Sequence, residues 1–232
     1  MGILSKGTDV QTVLYVYFSA AFTLMISVFH YKKFLRKHDD FRSFLQYFVC
    51  FFLMFLAFPV LIIVLVSGEP IRFLSSNGLT FGRSQKGLLW TVISIPAALV
   101  AAFIGSRDPV MKAHYPLSKQ AFSNAKKFVF FEICYIVLYY LPWEFVYRGI
   151  LFFPLIPAIG LVPALALQTL ISTLYHVGHP NMEIFASLGA GFLLGFIAYA
   201  TGSFLYTAFI HALAGVSHDV FLYVRRRPGS KV

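Results

Sequence analysis

Pro142-Trp143-Glu144-Phe145-Val146-Tyr147-Arg148-Gly149 sets an acid and a base four residues apart inside an otherwise apolar stretch. On a helix, positions i and i+4 share a face, so Glu144 and Arg148 are placed to pair. Ionisable groups are costly in hydrocarbon and by default mark function there. The flanking sequence decides whether hydrocarbon is the solvent. Residues 10–29, 44–67, 87–105, 128–143, 150–175, 184–200 and 203–224 are all predominantly apolar. Most of these runs reach the roughly 20 residues that cross a bilayer as a helix. A soluble core has no need of seven of them. The pattern predicts an all-α fold, a polytopic membrane helical bundle of about seven transmembrane helices.

The chain is 59% hydrophobic and 12% charged, with a formal net charge of +10. That excess does not point to nucleic acid, because the basic residues sit in loops rather than along one amphipathic face. Lys32, Lys33, Arg36, Lys37 and Arg42 fill one loop. Arg107, Lys112, Lys119, Lys126 and Lys127 fill a second, and Arg225, Arg226, Arg227 and Lys231 close the chain. Seven spans put these three clusters on one side, with the turn at 177–183, and leave Lys6, Arg72, Arg83 and Lys86 on the other. By the positive-inside rule the N-terminus is outside and the C-terminus cytoplasmic. The expected surroundings are the lipid bilayer, with no nucleic acid partner; oligomeric state is not encoded in these patterns. Cys50 and Cys134 fall inside apolar runs and read as small buried residues, without a disulfide framework or zinc-type spacing. Lys6 stands where N-myristoylation wants Ser or Thr, so that motif fails. The first apolar run lacks a cleavage site and reads as a retained span.

Four regions follow. Residues 1–105 form N-terminal scaffold helices with no ionisable group deep in an apolar run. Residues 106–127 form a basic cytoplasmic loop, 128–224 form the membrane helices that carry the site, and 225–232 form a basic tail. No internal repeat is evident, which disfavours a transporter of inverted repeats. Pro142 is placed to kink the fourth span beside Glu144. Gly149, Pro154 and Pro157 are expected to end it, and Pro163 suits the first turn of the fifth. His179-Pro180-Asn181 closes the fifth, and Gly189, Gly191 and Gly195 form a small-residue face on the sixth.

Three residues carry the chemistry. With the fourth span ending near Phe153, Glu144 lies about 13 Å below its outer end, and His211 lies about 12 Å below the same surface. His176 lies about 20 Å down the fifth helix, reaching them only if that helix tilts or begins late. Glu144 is either half of a helix-locking ion pair or a carboxylate oriented by Arg148 to take a proton from water. His211 is either interhelical glue or a donor to a developing oxyanion. His218 shares nearly the same face, and Asp219 lies about 80° further round. Tyr140 and Tyr147 are supporting donors at most. Glu132, about 120° from Glu144, falls outside the site. His176, His179 and His218, with Asp219 and Glu183, make a weak metal alternative; the spacing favours no metal and no cofactor, with His179 and Glu183 at the interface.

These segments resemble the CPBP family of intramembrane proteases, the CaaX-protease and bacteriocin-processing or Abi family, as a divergent member. Its Glu-Glu-x-x-x-Arg motif reads Trp143-Glu144-Phe145-Val146-Tyr147-Arg148 here. Its Phe-x-x-x-His motif reads Ser172-Thr173-Leu174-Tyr175-His176, and its His-x-x-x-Asn motif reads His211-Ala212-Leu213-Ala214-Gly215, each matching at the histidine. Thr201-Gly202-Ser203 is similar to the family's turn before the last motif, and the resemblance covers about 125–222. It implies a glutamic-type endopeptidase cutting a membrane-tethered peptide or protein, such as a prenylated or leader-bearing one. Glu144 and His176 would activate water, His211 would stabilise the oxyanion, and Arg148 would orient the carboxylate. Tyr147, His218 and Asp219 would support or substitute, the last two in place of the missing Asn. Two other functions remain open: an inactive scaffold or regulator of the same fold, and a metal-dependent membrane hydrolase. The protease needs Glu144, His176 and His211 around one wet cavity; the scaffold needs Glu144 consumed by Arg148; the metal enzyme needs His176, His179 and His218 clustered without Glu144.

Overall fold

The computed structural model describes residues 9–29 and 39–225. Lys6, Lys32, Lys33, Arg36, Lys37, Arg226, Arg227 and Lys231 lie outside the described residues, as does nearly all of the basic tail. The described chain forms α1 (Val10–Ser27), α2 (Asp40–Val66), α3 (Pro70–Ser76), α4 (Ser84–Gly105), α5 (Pro109–His114), α6 (Ala125–Ile159), α7 (Leu161–Leu174), α8 (Asn181–Thr201) and α9 (Leu205–Arg225). No strand occurs among the described residues. Helices α1, α2, α4, α6, α8 and α9 are long and apolar enough to cross a membrane, whereas α7 is apolar but has 14 residues. At 1.5 Å per residue α7 rises about 21 Å, short of a hydrocarbon core of about 30 Å. The chain is an integral, multi-pass helical membrane protein, and six long helices with one short apolar helix among the described residues agree with the expected bundle of about seven.

The largest departure from expectation is α6, 35 residues long. Gly149, Pro154 and Pro157 do not end it. Two wider π-helical turns, Ile136–Tyr140 and Phe145–Ile150, precede and follow Pro142 and let the helix continue. Pro154 has no N–H to offer the carbonyl of Ile150. Gln11 of α1 supplies the donor instead, its Nε2 lying 2.9 Å from that oxygen. The stop comes at Gly160, whose φ of +87° is a conformation that side-chain-bearing residues rarely adopt. Its carbonyl then accepts from Ala164 N and starts α7 at once. Helix α7 ends at Leu174, ahead of the predicted Tyr175, and Gly178 (φ +98°) turns the chain toward α8.

Every residue from Pro142 to Phe152 is buried, so α6 is the central helix. Helices α1, α2, α7, α8 and α9 surround it. Aromatic rings make the α2 contact: Phe48 stacks on Tyr135 with centroids 4.8 Å apart, and Phe51 lies parallel to Trp143 at 6.2 Å. Phe22 of α1 reaches Tyr147 at 5.7 Å. Cys50 and Cys134 are half-buried free thiols. Helices α7 and α8 approach closely through two of the three predicted glycines. A Cβ at Gly191 would lie 2.8 Å from Thr169 Cγ2, and one at Gly195 would lie 2.5 Å from Gln168 Nε2. Gln168 Nε2 also donates to the Gly191 carbonyl at 2.8 Å. Gly189 faces open space, so it is not part of that contact.

Hydrogen bonds tie the two ends of the bundle. At one, Asp40 accepts from Ser118 Oγ (2.9 Å) and from Lys119 N (2.7 Å), while Arg225 Nη1 donates to Ser106 O (2.8 Å). The start of α2, the 106–124 connection and the end of α9 therefore sit together. At the other end Arg83 donates its backbone N–H to Thr201 O and a guanidinium N–H to Ala200 O. There Gly202, at φ +72°, turns α8 into α9 within Thr201-Gly202-Ser203.

Candidate active site

Glu144 sits between the two π-turn segments of α6 and is fully buried. Its Oε1 accepts two charged-group bonds, from Arg148 Nη1 at 3.1 Å and from His211 Nδ1 of α9 at 2.7 Å. The predicted common level of Glu144 and His211 is thus realised as a direct bond. The carboxylate fixes the His211 ring with its proton on Nδ1 and leaves Nε2 turned away from Glu144. Arg148 and His211 line a cavity of about 240 Å³, together with Trp143, His176, Glu183 and Gly215. Glu144 does not line it; it stands behind the two residues that do.

His176 follows α7 and also reaches the cavity, but not Glu144. Its Nδ1 lies 3.0 Å from the Ser172 carbonyl. A carbonyl only accepts, so Nδ1 carries the hydrogen and donates. The Trp143 ring intervenes, with centroid distances of 5.1 Å to His176 and 6.1 Å to His211. The two histidines flank one indole. Tyr147 packs on the other side of Trp143 at 4.7 Å and is buried away from the cavity.

Glu183 is the residue that sequence reasoning misplaced. It is not at an open interface: its side chain is 19% exposed and lines the cavity from the first turn of α8. Both its oxygens accept from the Tyr115 hydroxyl, at 2.8 and 2.9 Å, and Oε1 also accepts from His179 Nδ1 at 3.0 Å. His176 Nε2 stands 4.0 Å from the same Oε1. Tyr115, on the connection before α6, lies outside the spanning helices. Burial and the adjacent Glu183 charge push its hydroxyl well above the usual tyrosine range, so it stays a donor. The i, i+4 spacing of His179 and Glu183 was the available sequence signal; the long-range contact from Tyr115 had none.

His218 and Asp219 line the other end of the same cavity. Their side chains meet at 3.2 Å (Nδ1 to Oδ1), and the His218 ring packs on Tyr115 at 5.1 Å. They do not take the space beside Gly215. Tyr140 does: a Cβ at 215 would overlap its hydroxyl oxygen. Tyr140 also packs edge-on against His211 at 4.9 Å. The metal alternative loses its geometry, because Tyr115 stands between His218 and the His176–His179 pair. No group of three His, Cys, Asp or Glu among the described residues is arranged to hold a metal ion.

Charged and imidazole groups around an internal cavity of a multi-pass helical bundle mark a functional site. Residues 125–217 match the family model described as type II CAAX prenyl endopeptidase Rce1-like, of the CPBP family. That segment runs from the start of α6 past His211 and contains all three motifs. At family level it supports a CAAX-type intramembrane protease acting on a peptide or protein substrate. Comparison with curated proteins gives no match, and neither does comparison with solved structures.

Proposed function

We propose that the chain hydrolyses a peptide bond of a membrane-tethered substrate, prenylated at its C-terminal end or bearing a leader, inside the cavity between α6, α8 and α9. The observation that carries this reading is the 2.7 Å bond from His211, on the cavity wall, to a fully buried Glu144 behind it. A carboxylate that holds two cationic or hydrogen-donating side chains is a preorganised electrostatic device, costly to build for packing alone. With a hydrogen on each ring nitrogen, His211 donates from Nδ1 to Glu144 and offers Nε2–H to an oxyanion, with Arg148 beside it. Glu144 was expected to activate water with His176. Its complete burial behind Arg148 and His211 supports a positioning role instead, with His176 as the imidazole facing the cavity. The substrate enters from the end that carries Arg42, the 106–127 loop and Arg225. By charge this end is cytoplasmic, with the N-terminus outside.

A second reading is favoured by Trp143 and Gly215, which replace the Glu and Asn of the family motifs. It is a binding protein that uses the same cavity without cleaving. The deciding experiment is purified protein in liposomes given a farnesylated, internally quenched CaaX peptide and a leader-bearing membrane-anchored peptide. The protease reading expects cleavage by the wild type, reduced at least 100-fold in His211→Ala and Glu144→Ala. Tight peptide binding with no cleavage of either probe would instead support the binding protein.

A further inference from the structure

We propose that Glu183 and His176 hold and activate the attacking water, an inference that rests on the hydrolase reading. His176 donates from Nδ1 to the Ser172 carbonyl, so the neutral ring presents a bare lone pair at Nε2. Glu183 is an acceptor through both oxygens, already receiving the hydrogens of Tyr115 and His179. Two acceptors face one another at 4.0 Å. This is too long for a direct hydrogen bond, and no hydrogen lies between them to make one. A water molecule resolves the conflict by donating one hydrogen to each. Its oxygen then sits about 2.8 Å from both and turns its own lone pairs outward.

A separate observation supplies the space. A chamber of about 50 Å³ is bounded by His176, His179, Glu183 and His211 and by tyrosines that include Tyr115 and Tyr140. One water needs only about 10–15 Å³ of such volume and two to four polar partners. The chamber therefore has room for a water and a reacting carbonyl oxygen, with His211 also on its wall. Glu144 does not border it; its partner His211 does.

The step balances on these residues. The water oxygen bonds to the scissile carbonyl carbon while one water proton passes to the Glu183–His176 pair. The carbonyl π electrons move to the oxygen, which His211 Nε2–H meets. Collapse of the tetrahedral intermediate breaks the C–N bond, and the stored proton goes to the departing amine. Tyr115 and His179 keep the carboxylate aimed at the water throughout.

Two measurements on the full chain in lipid nanodiscs test this. The first is structural and needs no substrate: a map that shows ordered water, with ¹⁵N spectra of labelled histidine. A water within about 3 Å of both His176 Nε2 and Glu183, with Nε2 unprotonated, is expected. A proton on Nε2 with closure to a direct Glu183 bond overturns the proposal. The second is kinetic, with the farnesylated quenched peptide. Glu183→Gln keeps the size but replaces one accepting oxygen and the negative charge with a donating amide, so kcat is expected to fall ~10²- to 10⁴-fold with KM little changed. Wild-type kcat in Glu183→Gln, beside loss in Glu144→Gln, returns the base to Glu144 and overturns the inference while the hydrolase stands. A wild type that binds the peptide but cleaves nothing overturns the hydrolase reading itself, whatever the water site shows, and removes the catalytic role with it.

Discussion

Glu144 shows how a single residue is overdetermined by its neighbours. Its Oε1 is shared by Arg148 and His211, and the group is wholly buried. Removing one partner of such a pair leaves an uncompensated charge, a loss of about 3–5 kcal/mol. Arg148→Ala is therefore expected to lower thermal stability in detergent sharply, with Arg148→Lys intermediate because a point ammonium lacks the planar fork. Unfolding curves read this directly; an unchanged midpoint for Arg148→Ala would show that the pair is solvated. Gly215 is constrained by a different neighbour. Any side chain there collides with the Tyr140 hydroxyl. Gly215→Asn is expected to displace Tyr140 from His211 and destabilise the fold by about 1–3 kcal/mol, as overpacking does. Tyr140→Phe with Gly215→Ala should recover part of that loss, and a double-mutant cycle measures the coupling. The sequence made Glu144, Arg148 and His211 legible, because charges in apolar runs have few reasons to exist. It did not make Tyr140 or Glu183 legible, because one was hidden among many aromatics and the other sat in a turn that reads as interface.

At the scale of elements, α6 and α7 carry the lesson. Prolines at 154 and 157 are strong stop signals in a soluble helix, yet α6 continues to Ile159. The Gln11 side chain answers the Ile150 carbonyl that Pro154 would orphan. In a bilayer no water could do so. Gln11→Leu is expected to leave the Ile150 carbonyl unsatisfied and cost about 1–3 kcal/mol. Amide exchange around 146–155 would rise, and unaltered protection there would count against this account. The break falls at Gly160, where φ is +87°. Gly160→Ala is expected to destabilise the α6–α7 corner by roughly 1 kcal/mol or more. The order of α8 and α9 about Gly202 and the Gly191/Gly195 contact were readable from glycine placement. Helix α7's short length was not, since α6 takes the first part of the apolar run 150–175 and the break falls only at Gly160.

For the whole molecule, the hydrogen bonds of Asp40 to the 118–119 backbone and side chain and of Arg225 to Ser106 gather the basic segments at one end. A single cysteine placed at Lys119 in a variant lacking Cys50 and Cys134 is expected to react with a membrane-impermeant maleimide only from the cytoplasmic side. Labelling from the opposite side in intact cells would invert the topology. The sequence by itself determined that this is a helical, multi-pass membrane protein with its ionisable groups in the C-terminal half. Hydrophobic length and charge placement act locally along the chain, so they survive without coordinates. Only the tertiary structure decided that Glu144 stands behind the cavity wall, that Trp143 separates it from His176, and that Glu183 comes in from α8 to face His176 at 4.0 Å. Those relations depend on how five helices rotate about a buried α6, and no periodicity within one helix specifies the rotation of its neighbour.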